Sequence, residues 1–320
     1  MASGHASIGR VAASFHAGER AVQERAGVRT RMEEVGAVML RDFMPEQHRA
    51  FFPMLPTLFV GAADAKGRLW ASVLWGAVGF IQSPTPTTLR VRARFAKGDP
   101  LSAGLRPGNP IGLLGLQFES RRRNRANGEI AETDADGFNF ALRQSFGNCA
   151  KYIQTRKQLE DSTEASGASL TGGGHLNDAA AALIRRADTF FIATAVAVSH
   201  GAAHGADVSH RGGRPGFVQV APGGVLSWPD FQGNNFFNTV GNLAVDSRAG
   251  LLFIDFDSGD LLHLSGHAEV IWSEPASDGR TATAQRQFRF VIERHVFRPN
   301  GSPLRWSLLE PSPYLSAAAG

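Results

Sequence analysis

The sequence predicts a mainly β protein with peripheral α structure, built as two like modules in tandem behind a helical N-terminal arm. Three observations lead there: an internal repeat, short apolar runs bounded by turn residues, and a composition able to fill two cores. The repeat begins where Thr57-Leu58-Phe59-Val60-Gly61-Ala62 aligns with Thr189-Phe190-Phe191-Ile192-Ala193-Thr194. Ala71-Ser72-Val73 then meets Ala206-Asp207-Val208, and Gly79-Phe80-Ile81-Gln82 meets Gly216-Phe217-Val218-Gln219. From Gly112 to Gly128 the shift is constant at 138, with identities at Gly112/Gly250, Leu113/Leu251, Leu114/Leu252, Phe118/Phe256, Ser120/Ser258 and Gly128/Gly266. Small loop insertions in the second copy produce such a drift, and a period this long suits a duplicated domain over a solenoid. Two unrelated strand-rich segments are the competing explanation.

In chain order, residues 1–49 form the arm. Gly18 to about Leu40 is charged with scattered apolar positions and reads as helix; Pro45-Glu46-Gln47-His48 opens a second, short helix ending near Pro53. The first module, 50–157, carries strands at Leu58–Ala62, Ala71–Trp75, Gly79–Gln82, Leu89–Phe95 and Ile111–Phe118, whose Gly and Pro punctuation suits an antiparallel barrel or sandwich. A Ser-, Thr-, Gly- and Asp-rich stretch, 158–177, reads as the linker, with Gly172-Gly173-Gly174 at its end. The second module, 178–306, opens with a short helix from Asp178 to Arg186, repeats the strand pattern to Trp272, and closes on a strand where Phe288, Phe290 and Ile292 alternate with Arg289, Val291 and Glu293. The Pro- and Ala-rich tail, 307–320, is expected to fray.

Composition narrows the function. At 320 residues, 43% hydrophobic and 19% charged, the chain can bury the cores of about two domains. No apolar run approaches the roughly 20 residues of a membrane span, and the N-terminus shows no basic segment followed by an apolar core, so a cytoplasmic protein without a membrane contact is expected. A single cysteine, Cys149, excludes an internal disulfide and a cysteine-built metal cage. The ten histidines show no metal-ligand spacing, His200 and His204 falling in a Gly-Ala loop, so no metal centre is expected. A net charge of +4 is too small a surplus to argue for a nucleic-acid partner.

Two clusters in the second module can carry chemistry. Asp207-Val208-Ser209-His210-Arg211-Gly212-Gly213-Arg214-Pro215-Gly216-Phe217 puts two arginines among glycines that let a ligand approach the backbone, which suits an anion. Trp228 to Leu243 follows, where Asn234, Asn235, Asn238 and Thr239 supply neutral donors and acceptors beside aromatic rings that could flank a planar group. Both clusters are also ordinary turn chemistry. In the first module Arg121-Arg122-Arg123-Asn124-Arg125 stands where the repeat has Gly259 to His263, and strand alternation sends Arg121, Arg123 and Arg125 to one face, either to meet an anion or to form a solvated basic edge. Asp207, Ser209 and His210 are too close along one strand to form a catalytic triad.

These runs, with Pro229-Asp230-Phe231, Gly233-Asn234, Asn238-Thr239, Gly241-Asn242-Leu243 and Gly250 to Asp255 in the second module and Arg121 to Gly128 and Ser145 to Gln154 in the first, resemble the pyridoxamine 5′-phosphate oxidase-like family. The resemblance covers most of residues 50–272. It implies the flavin-binding split barrel, here as tandem split β-barrels forming an intrachain pseudo-dimer, with FMN at the seam that two chains usually share. Carried over, the FMN phosphate site uses Arg211 or Arg214, with Gly212, Gly213, Asn238 and Thr239 among the cofactor-binding residues, and Asn234 and Asn235 where better-known members have basic side chains. The missing charge is expected across the seam from Arg123 and Arg125, giving one good site per chain. The implied activity is an FMN-dependent oxidoreductase acting on a small-molecule substrate, with His210 as candidate proton donor; a separate reductase as electron source stays open, as do monomer and homodimer. The alternatives are a haem or tetrapyrrole binder with His210 or His263 as axial ligand, and an interaction module without cofactor.

Overall fold

The structure, a computed structural model, describes residues 14–103, 105–159, 165–197, 203–272 and 286–315; His200 and the last five residues of the tail lie outside them. Helix α1 (Ala17–Arg25) and α2 (Arg29–Met39) replace the single helix expected over Gly18–Leu40. Gly27 is the cause: at φ 69° it accepts a left-handed conformation, and the hydrogen bonds from Gly27 N–H to Glu24 O and from Val28 N–H to Gln23 O close α1. A short helix, α3 (Glu46–Arg49), follows Pro45 as expected.

The chain is mainly β, with antiparallel sheets. The first holds β1 (Thr57–Ala63), β2 (Leu69–Trp75), β3 (Ile81–Thr85), β4 (Thr88–Val91), β5 (Pro110–Gln117), β6 (Arg122–Thr133) and β7 (Phe138–Gly147) in the order β2-β1-β5-β6-β7-β4-β3. After β8 (Thr155–Gln158), β9 (Leu170–Gly172) and α4 (Asp178–Arg186), a second sheet gathers β10 (Thr189–Val196), β11 (Gly205–Gly212), β12 (Gln219–Ala221), β13 (Val225–Asp230), β14 (Arg248–Ile254), β15 (Leu261–Trp272) and β16 (Arg286–Arg298). Its order, β11-β10-β14-β15-β16-β13-β12, is that of the first sheet strand for strand. The helix α5 (Asn238–Leu243) lies between β13 and β14.

Register ties the two sheets residue by residue. Gly61 stands between Ala71 and Gly112, and Ala193 between Val208 and Gly250. Ala71 is therefore equivalent to Val208, two residues beyond its partner in the sequence alignment, because the second copy has a longer connection between β10 and β11 than the first has between β1 and β2. The shared glycines Gly128 and Gly266 sit at matching bulges, between β6 and β7 and between β15 and β16. A Cβ at either would strike a backbone carbonyl, of Ala141 or of Val291. The turns before β3 and β12 also match: Phe80 and Phe217 fold back against Gly76 and Gly213, and each donates its N–H to the carbonyl three residues earlier.

Each sheet covers its own apolar core, and a third core joins them. In that seam equivalent residues meet each other. Phe59 stacks on Phe191 at 3.6 Å and Phe118 meets Phe256 edge-on at 5.4 Å. A Cβ on Gly112 would lie 2.7 Å from Asp207 Cα, and one on Gly250 2.5 Å from Trp70 Cα, so glycines admit the opposing backbone at both places.

Two expectations fail at the edges. The stretch 158–177 is not wholly irregular, since β9 pairs with β16. The tail from Ser307 to Leu315 does not fray: β17 (Trp306–Glu310) pairs with β8, and Trp306 is buried in the seam core against Phe118 and Phe256. One aromatic side chain at its start outweighs the Pro- and Ala-rich composition that follows.

Candidate ligand site at the seam

Strand β6 of the first sheet and β11 of the second approach each other across the seam and deliver opposite walls of one cavity. Its volume is about 90 Å³, within a wider concavity of about 580 Å³. Arg123 and Arg125 come from β6; His210 and Arg211 come from β11; Asn234, Asn235, Asn238 and Thr239 come from the segment that ends in α5. Eight of the eleven residues singled out in the sequence thus border one space.

The other three lie elsewhere. Gly212 borders a smaller adjoining cavity of about 60 Å³, where a Cβ would strike the Tyr152 carbonyl. Gly213 is engaged by backbone and side-chain hydrogen bonds with Asp188 and Gln154, and Arg214 is exposed on a separate groove with Leu308 and Leu315. Arg121 also departs from the expected triplet. At φ 55° it belongs to the turn before β6, and its side chain donates to Ile153 O and Pro311 O.

Arg125 is almost fully buried, 4% exposed, and its charge is met. It pairs with Asp207 at 2.8 Å and donates to Ser209 Oγ at 2.7 Å and Asn238 Oδ1 at 3.1 Å. Ser209 Oγ in turn donates to Asp207 at 3.3 Å and accepts from Thr239 at 3.1 Å. Asp207 and Ser209 therefore do meet, two residues apart on one face of β11, but around a guanidinium and not as a triad. Arg286 is paired with Asp230 at 2.7 Å.

Arg123 and Arg211 are different. Arg123 donates to the carbonyl of Cys149 at 2.8 Å and reaches its Sγ at 3.7 Å; Arg211 reaches only the His210 carbonyl, at 3.5 Å, and lies over the Phe288 ring. Among the described residues neither forms an ion pair. Burial draws the Arg123 guanidinium down to about 10 and lowers that of Arg211; Cys149 opposes the shift at Arg123, Asp230 and Asp207 oppose it at Arg211, and Arg125 adds repulsion to both, yet Arg123 stays charged at neutral pH. Buried polar atoms without partners gather here as well: Arg125 Nε, Asn148 Oδ1, His210 Nε2 and Arg211 Nε. Such groups are costly unless satisfied, so the cavity is suited to a polar, anionic occupant.

His210 is 3% exposed, and burial first, then Arg123, Arg211 and Arg156, hold its imidazole well below the usual range. It meets the cavity as a neutral ring, able to donate or accept one hydrogen bond, and is not populated as an imidazolium acid. Asn235 and Phe237 are left-handed, at φ 63° and 61°, a strained backbone for an aromatic residue beside the cavity. Sequence reasoning missed Asn148, Cys149 and Arg286 as wall residues, because the first two follow β7 and the third opens β16, far from the clusters in sequence.

The equivalent place on the opposite seam is filled by the chain itself. Register makes Ser72 the counterpart of Ser209 and His263 the counterpart of Arg125. Between them sits Asp99, 3% exposed, accepting from Ser72 Oγ at 2.5 Å with Arg298 Nη1 at 3.6 Å and His263 Nε2 at 3.8 Å. His263 Nδ1 is also engaged with Ala71 O at 3.1 Å.

No protein-family description and no curated protein matches this sequence. Among solved structures the chain is similar to HupZ of Group A Streptococcus at 12% identity, over 40% of this chain and 98% of that one, with a TM-score of 0.31. It is similar to a Clostridium acetobutylicum protein of the pyridoxinephosphate oxidase family, related to general stress protein 26, at 12% identity over 40% and 89%, TM-score 0.26. It is also similar to HutZ, the heme storage protein of Vibrio cholerae, at 12% identity over 37% and 89%, TM-score 0.25.

Proposed function

We propose that the chain is an intrachain pseudo-dimer of split barrels that binds FMN by its phosphate at the β6–β11 seam and works as an oxidoreductase. The observation that carries this reading is the pair Arg123 and Arg211, one from each repeat, which border one cavity and form no ion pair among the described residues. Two guanidiniums so placed suit a phosphate dianion, each able to bond it in a forked, charge-assisted geometry. Asn234 and Asn235 stand as neutral donors where the resemblance leads one to expect cations, and the charge comes across the seam instead. The cavity, about 90 Å³, has room for a phosphoryl group.

Bound there, FMN would supply hydride chemistry at its ring, which no side chain of this chain can provide. The chain's own residues bind and orient. Arg125, fixed by Asp207, Ser209 and Asn238, holds the seam in register, and Phe231, stacked on Tyr152 at 5.1 Å, offers an aromatic face beside the cavity. His210 contributes a hydrogen bond to ligand or substrate. Because Asp99 fills the opposite seam, one ligand per chain is expected, with a small-molecule substrate and a separate reductase as electron source.

A tetrapyrrole is the second reading, favoured by the unpartnered, neutral Nε2 of His210. The polar, arginine-lined cavity speaks for FMN. Titration of purified protein with FMN and with haemin decides between them: flavin uptake at one equivalent supports the proposal, a Soret-absorbing complex supports the tetrapyrrole, and neither would leave an interaction module.

A further inference from the structure

The N-terminal arm carries an acid into the wall of this cavity. Helix α1 crosses α5 so closely that a Cβ on Gly241 would lie 2.6 Å from Glu19 Cα, which only glycine allows. The crossing buries Glu19 to 4% exposure. Its Oε1 accepts from Asn238 Nδ2 at 2.6 Å and its Oε2 from the His16 N–H at 2.9 Å. Asn238 spends its other amide atom on Arg125, accepting from Nη1 at 3.1 Å. Glu19, Asn238 and Arg125 are therefore linked in a line that ends at the ligand cavity.

We propose that Glu19 is a positioning residue of the ligand site, and that its ionisation weakens anion binding by placing a negative charge behind Asn238 and Arg125. This rests on the reading of the cavity as an anion site. The groups that face Glu19 define its behaviour. Asp207 approaches from β11 and Arg125 from β6, while α5 brings only the amides of Asn238 and Asn242. His16, at the start of α1, accepts the Gly18 N–H on Nδ1, so Nε2 carries the proton donated to Asn242. Burial pushes the Glu19 carboxyl up to about 8, Asp207 adding to the rise and Arg125 opposing it. Near neutral pH Glu19 is therefore protonated and the cavity keeps its positive surplus. Above that value the carboxylate opposes an anion, and by linkage a bound anion raises its proton affinity further.

Calorimetric titration with inorganic sulfate, whose charge is constant from pH 6.5 to 9, tests the proposal on the full chain. For the wild type, affinity is expected to fall at least about threefold between those limits, equivalent to a coupling of half a pKa unit. Glu19→Gln keeps an acceptor for Asn238 and is expected to bind equally at both. In the wild type alone, heats in two buffers at pH 8 are expected to show proton uptake on binding. Parallel pH dependence in the two proteins, or no uptake in the wild type, overturns the inference and leaves the anion site standing. Absence of sulfate binding at pH 6.5 overturns the anion site itself, and this inference with it.

Discussion

Arg123 and Arg211 matter because they lack what Arg125 and Arg286 have. Replacing either by Ala should weaken FMN binding about 10- to 100-fold, the range of a lost charge-assisted hydrogen bond, with little change in the melting curve, because no ion pair is broken. Asp99→Ala should do the reverse. It leaves Arg298, fully buried, without a counter-charge, at a cost of about 3–5 kcal/mol in denaturant unfolding, while FMN affinity at the other seam holds. Glu19 gives stability a pH dependence of known sign. The folded chain holds a proton to about 8 that the unfolded chain releases near 4.5, so stability falls as pH rises between those values. Glu19→Gln should melt near the wild type at pH 5 and above it at pH 9; parallel curves would show that the carboxyl is not held protonated.

Among the elements, the bulges at Gly128 and Gly266 are the most exacting. Gly128→Ala or Gly266→Ala should each cost at least about 2 kcal/mol, because the new methyl meets backbone and not a movable side chain. Gly167→Ala, open on every side, should be neutral in the same thermal melts. The strands were legible where an apolar run was continuous and bounded by turn residues: β1, β2 and β5 fall within two residues of their expected limits. Strand β6 was legible only through its arginines, and β7 carries too many polar residues for an apolar run to mark it. The break between α1 and α2 depended on one left-handed glycine, and the pairing of β17 on Trp306 reaching a core contributed by both sheets. The glycine is a local stop signal that the run of charged residues around it masked, whereas the burial of Trp306 is a tertiary property. For the site, charge and glycine spacing located the two walls; Asn148 and Cys149 lie in a run that carries the resemblance but has no charge or glycine cluster to mark it as wall, and Glu19 entered through tertiary approach of a segment with no motif of its own.

At the scale of the molecule, the two sheets share strand order, register and bulges, and their equivalent residues meet at the seam. The two halves of that seam are nevertheless unequal. One side keeps unpaired arginines around a cavity, and the other is closed by Asp99, Arg298 and His263. Gly112→Val should push Asp207 and the opposing backbone away, lowering thermal stability and ligand affinity together. Loss of stability without loss of affinity would show that the cavity does not depend on the seam.

The central claim, that the repeats jointly hold the phosphate of one flavin, is tested most directly by equilibrium titration of FMN into the wild type and into the Arg123→Ala/Arg211→Ala double variant. The account expects one FMN per chain in the wild type and an affinity lower by more than either single change in the variant. Equal affinity in the two proteins, or two flavins per chain, would contradict it.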